Sequence, residues 1–244
     1  MVRNYPLVRQ PEGDAVESVR TKAWDSGRVA RWAGAAGTAL PLSGLVANPI
    51  WSMPGTETSG TDLAHWAATH HDRLVVMMLL NTTGVMLWFV FGAAVWTYLR
   101  DRLPARSMLP ACFAAGFVGF TTLILTGFTA FDLVLYRERG PELSTLLYDL
   151  TFGSLAMSGV PTTVSLASFA VAVYLHQVLP TYTAHLAIIA AAAHPVLLAA
   201  FVAEGGPLSL EGLSTTTGIP ILLFAWILAC ALAMPRKPLS SAHG

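Results

Sequence analysis

The sequence predicts an all-α polytopic membrane protein, a bundle of six transmembrane helices with both termini in the cytoplasm. Three observations carry that expectation. First, 54% of the 244 residues are hydrophobic and only 11% are charged, against roughly 25% charged in a soluble domain, and the mean hydropathy is +0.57. Second, six apolar stretches approach the roughly 20 residues that cross about 30 Å of hydrocarbon. Third, the basic residues are sorted by segment. Arg3, Arg9, Arg20, Lys22, Arg28, Arg31, Arg100, Arg102, Arg106, Arg236 and Lys237 fall in alternate hydrophilic segments, and only Arg73, Arg137 and Arg139 fall between them. That is the asymmetry of cytoplasmic against exterior loops.

The elements follow in chain order. Residues 1–31 form a cytoplasmic tail whose Val16, Val19 and Ala23 recur at helical spacing, open to a surface amphipathic helix or a solvated tail. No cleavable secretory signal is expected, because the first apolar run follows a long mixed-charge segment. The transmembrane domain covers residues 32–235. Its first span, Trp32–Trp51, is rich in Gly and Ala and contains Pro41, with tryptophans at its ends as interfacial anchors. An outward segment, Ser52–Arg73, holds a candidate surface helix in DLAHWAATHHD. Leu74–Leu99, Leu109–Tyr136 and Leu146–Leu175 are the next three spans, with Gly159-Val160-Pro161 expected to bend the last of them. Ala184–Ala203 and Gly218–Met234 complete the set, before a cytoplasmic tail at 236–244. No inverted repeat or broken-helix pair is evident, which weakens a transporter reading.

Hydroxyl and small residues recur on two helical faces: Thr151, Ser154, Ser158, Pro161 and Ser165 on the fourth span, and Thr122, Thr126 and Thr129 on the third. Such stripes let helices approach closely in lipid, or else line a polar cavity. Several function classes are excluded. Zero net charge gives no grip on nucleic acid. Cys112 and Cys230 lack a partnering pattern for a disulfide or thiolate metal site. Lys22 and Lys237 lie outside the spans, so no lysine is placed for a retinal Schiff base. His185 and His194 are out of helical phase for a shared haem. No nucleotide-binding loop is present. His65, His70 and His71 with Asp62 and Asp72 do not match a metal-ligand spacing, so no metal site and no cofactor are expected.

Ionisable groups at membrane depth are costly and therefore informative. With the sidedness above, Asp132, Asp149, Glu204 and Glu211 gather toward the outer side, His194 lies mid-span, and Asn81 lies about two turns into the second span. The expected site is an outward-facing polar pocket. Asp132, Asp149 and His194 are the candidate catalytic groups, an acid beside a histidine acceptor being suited to cyclisation or isomerisation of a lipophilic substrate. Asn81, Thr126, Thr129 and Glu204 are the candidate ligand-binding groups. The other reading keeps the acids at the headgroup boundary, solvated or paired with Arg137 or Arg139, and gives His194 a structural bond beside Pro195.

The carboxyl-terminal third, LPTYTAHLAIIAAAAHPVLLAAFVAEGGPLSLEGLSTTTGIPILLFAWIL, resembles a broad uncharacterised family of six-helix bacterial inner-membrane proteins. Pro180, Gly206, Pro207, Leu208, Gly212, Pro220 and Trp226 carry the likeness, and WSMPGTETSGTDLAHWAATHHDR is similar to that family's first outer loop. The match runs from Trp32 to Met234. It implies the architecture and a bacterial inner-membrane location, with no known activity, and that family usually has an aromatic residue or asparagine where His194 stands. The expected partners are the lipid bilayer, a lipophilic small molecule, and a membrane-protein partner or second copy. A non-catalytic accessory subunit is the alternative to an intramembrane enzyme.

Overall fold

Backbone polar groups at membrane depth find no water, so long apolar runs must satisfy them internally as helices. The computed structural model describes residues 26–48, 53–55, 57–137, 140–203 and 205–235. Helix makes up 83% of it, and there is no strand among the described residues. The helices are α1 (Ser26–Ala47), α2 (Gly60–Thr69), α3 (His71–Arg102), α4 (Leu109–Tyr136), α5 (Pro141–Met157), α6 (Gly159–His176) and α7 (Thr181–Ala193). A 3₁₀ segment (His194–Phe201), a π turn (Ser214–Gly218) and α8 (Pro220–Ala233) follow.

Five helical stretches are long and apolar enough to cross a membrane: His71–Arg102, Leu109–Tyr136, Pro141–His176, Thr181–Phe201 and Ser214–Ala233. Exposed large side chains such as Leu79, Met86, Val118, Val164 and Leu232 give their outer surfaces an apolar character. The Gly/Ala-rich α1 falls outside that set, yet it packs along half the length of α3. A Cβ at Gly34 would meet Phe91, one at Gly37 Trp88, and one at Gly44 Asn81 and Met77, an antiparallel order. Helix α1 begins at Ser26 rather than Trp32, while the expected end at Trp51 lies outside the described residues. So do most of the amino-terminal tail and all of the carboxyl-terminal one.

Packing closes a ring in the order α1, α3, α4, α5–α6, α7, α8 and back to α1. At one end the first and last helices are tied directly, Arg31 donating to the Met234 carbonyl at 2.7 Å. The turn between α6 and α7 reaches the same end, where Tyr98 donates to the Val178 carbonyl at 2.7 Å. The core of this half is aromatic. Trp226, fully buried, stands edge-on to Phe91 and Phe169 with centroids 5.9 and 5.1 Å away. At the far end, α2 folds back as a cap, as the sequence suggests. Ser59 accepts from the Asp62 N–H at 3.1 Å and donates to its carboxylate at 2.7 Å, satisfying the helix start. Its Leu63 and Ala67 join Leu74, Phe131 and Tyr148 in a second apolar cluster.

The hydroxyl stripe of α5 and α6 is a packing face against α4. A Cβ at Gly116 would strike the Pro161 carbonyl and the Ser165 backbone, and one at Gly127 the Thr151 carbonyl. Ser165 also donates across to the Phe113 carbonyl at 3.1 Å. The stripe of α4 behaves differently: Thr122, Thr126 and Thr129 are exposed on the outer surface. Thr126 and Thr129 bond back to the Thr122 and Leu125 carbonyls of their own helix.

Candidate functional site

Three helical stretches lose their regularity around one cavity, and a proline of a fourth, continuous helix stands in its wall. Pro41 lies inside α1. The stretch Pro141–His176 breaks at Ser158, one turn before Pro161, because the proline has no N–H for the preceding turn and its ring crowds the carbonyl there. Pro195 does the same in the stretch Thr181–Phe201, which tightens from α to 3₁₀ at His194. Before Pro220 the chain widens into a π turn, with the Ile219 N–H reaching the Ser214 carbonyl at 2.9 Å. Pro41, Ser158, His194, Thr215, Thr216, Thr217 and Pro220 all line the same cavity of about 150 Å³. The sequence gives no broken-helix pair; the structure corrects this with three interruptions facing one another. Irregular backbone at membrane depth is tolerated where it is covered by protein or lines a cavity.

The wall is mainly apolar, with Val85, Ile124, Phe152, Leu197 and Phe224 among its members, and among the described residues it contains no Asp, Glu, Lys or Arg. Leu210 contributes from the connection before the π turn. That connection turns through Gly206, whose φ of +85° is a conformation L side chains rarely adopt.

The polar groups of the wall are few and specific. His194 is 2% exposed, and its Nδ1 lies 2.7 Å from the Ala190 carbonyl oxygen. A carbonyl only accepts, so Nδ1 carries the hydrogen and Nε2 is left as an acceptor. Nε2 has no hydrogen-bond partner among the described residues. The carbonyl of Ala191, freed by Pro195, is met by Thr163 Oγ1 at 3.2 Å. Asn81, 9% exposed, makes no side-chain hydrogen bond among the described residues. The Thr215 and Thr217 hydroxyls and the Trp88 indole N–H are buried without partners as well. Each such group costs about 1–3 kcal/mol if nothing satisfies it.

Of the residues expected in the site, the cavity therefore brings together Asn81 and His194. It does not include Asp132 or Asp149. Both acids are exposed on the outside of α4 and α5, whereas His194 is enclosed, so the expected acid–histidine constellation is not assembled. Thr126 and Thr129 are likewise on the outer surface, and Glu204 lies outside the described residues. Sequence reasoning placed Ser158 on a stripe that packs helices or lines a cavity, and missed Trp88, Thr162 and Thr215–Thr217. The signal for the last three was the hydroxyl run immediately before Pro220, where a proline-induced irregularity leaves polar side chains at the wall. No group of three or more His, Cys, Asp or Glu side chains converges among the described residues.

No protein-family model matches the chain, and neither does any curated protein or solved structure.

Proposed function

We propose that the chain is a six-span inner-membrane protein whose central cavity binds a lipophilic small molecule. In this reading α1 is the first crossing and both termini are cytoplasmic. The antiparallel course of α1 along α3 and the Arg31–Met234 bond support it. The gathering of Arg28, Arg31, Arg100, Arg102 and Arg106 in segments at that end supports the sidedness. The observation that carries the binding reading is the convergence of interrupted helices on an apolar cavity holding unpartnered polar groups, the usual composition of a small-molecule site. Binding is favoured over acid–base catalysis because the described residues of the wall are apolar or neutral, with no carboxylate among them.

The test is extraction of the protein purified in native-membrane discs, followed by mass spectrometry of the small neutral molecules released. Leu42→Trp and Thr216→Phe place bulk at the half-covered rim of the cavity. Wild-type protein should release a lipophile that both variants lack while unfolding at an unchanged temperature. An identical extract from all three would remove the binding reading.

A second reading, an accessory subunit of a membrane complex, is favoured by the exposed polar stripe on α4. Ser154 and Ser158 of the other hydroxyl stripe are covered within the chain itself. The surface left for a partner is Thr122, Thr126, Thr129 and Asp132.

A further inference from the structure

Resting on the binding reading, we infer that the ligand is a neutral lipid alcohol, held by its hydroxyl between His194 Nε2 and Asn81, with its chain leaving between α1 and α8. Charge decides the first part. With no ionic side chain among the described residues of the wall, an ionised head would sit unpaired in a low-dielectric cavity, which is strongly unfavourable.

Hydrogen-bond direction decides the second. His194 Nε2 needs a donor, since its Nδ1 hydrogen is committed to the Ala190 carbonyl. An ester, ether, ketone or quinone head carries only acceptors and would leave that nitrogen facing another lone pair. The Asn81 amide offers a donor. A hydroxyl answers both, giving its hydrogen to the imidazole and accepting from the carboxamide, and the Thr215 and Thr217 hydroxyls stand in the same wall.

Size and access decide the third. A cavity of about 150 Å³ takes only the head end of a lipid. Its exposed rim residues are Leu42 of α1 and Ile221 of α8. Nearer the Arg31–Met234 end the same two helices close tightly, a Cβ at Gly34 falling 2.7 Å from that of Ala231. The gap is therefore lateral, facing the hydrocarbon in which such an alcohol is dissolved.

The experiment uses the full chain in lipid nanodiscs and three diazirine-bearing probes of equal chain length: dodecanol, its methyl ether, and dodecanoate. Photolabelled peptides are mapped by mass spectrometry. The alcohol should label the Leu42–Leu45 and Ile221 segments about tenfold more than either analogue, the value of one hydrogen bond to a buried group. His194→Phe should lower the alcohol to the level of the ether while leaving ether labelling unchanged, which also reports an intact fold, and Asn81→Leu, which removes a donor to either oxygen, should lower both. Equal cavity labelling by alcohol and ether would overturn the alcohol assignment and leave the lipophile site standing. Absence of label from these segments with every probe would overturn both.

Discussion

Single residues set how closely the helices of this ring approach. Gly84 of α3 lies against Pro41 of α1, and a Cβ there would fall 2.5 Å from Pro41 Cδ and Cγ and 3.0 Å from the Gly37 carbonyl oxygen. A pyrrolidine ring inside a helix cannot swing aside as a long side chain would. Gly84→Ala should therefore destabilise the fold by about 1–3 kcal/mol through overpacking. Gly55, in the loop before α2, has nothing within 4 Å of an added Cβ, so Gly55→Ala should stay within about 0.5 kcal/mol of wild type. Thermal unfolding of the two variants in one detergent checks the contrast. Equal behaviour would mean that α1 is not seated on α3 as described. At the same scale, Asn81 and His194 were legible as candidates because polar side chains inside apolar runs stand out. That the Asn81 side chain and His194 Nε2 have no hydrogen-bond partner among the described residues was not, since that depends on what each neighbouring helix presents.

At the scale of elements, the sequence marked most helices well and the faces poorly. Leu109–Tyr136 is the full extent of α4, and the bend expected at Gly159-Val160-Pro161 is the break after α5. The face assignments for Thr126, Thr129, Asp132 and Asp149 failed for a physical reason. In water, the apolar side of a helix identifies its buried side. In lipid, the buried and exposed sides are both apolar, so periodicity groups residues onto a face without telling which way it points. Helix α4 shows both outcomes, with Gly116 and Gly127 pressed against the fourth span and Thr122, Thr126 and Thr129 turned outward. Because the Thr126 and Thr129 hydroxyls bond only to carbonyls of their own helix, replacing all three threonines by leucine should leave the isolated chain's unfolding temperature nearly unchanged. If the stripe meets a partner, the triple variant should run as a smaller species when extracted from its native membrane and separated by size with light scattering. Retention of the wild-type assembly would remove the accessory-subunit reading.

Whole-molecule topology depends on α1, the helix whose composition is least like a membrane span. Small residues lower its hydropathy but let it lie close to α3, with Gly34, Gly37 and Gly44 as the points of approach. Weak apolarity is thus the cost of close packing against a strongly apolar neighbour, and a hydropathy criterion alone underrates such a helix. If α1 crosses, its Ser26 end and the Glu57 loop are on opposite sides, and Ala105 between α3 and α4 shares the side of Ser26. Single cysteines at these three positions, in a Cys112→Ala background, separate the cases by labelling whole cells with a membrane-impermeant maleimide. Cys230 is fully buried and stays silent. Glu57→Cys should react in intact cells, while Ser26→Cys and Ala105→Cys should react only after permeabilisation. Labelling of both Ser26→Cys and Glu57→Cys from outside would make α1 a surface helix, and the cavity would lose one of its walls. The reverse pattern, with Ser26→Cys and Ala105→Cys reactive in intact cells and Glu57→Cys silent, would invert the molecule. It would also defeat the arginine asymmetry on which the sidedness rests, since loops as short as that between α3 and α4 are where basic residues govern orientation.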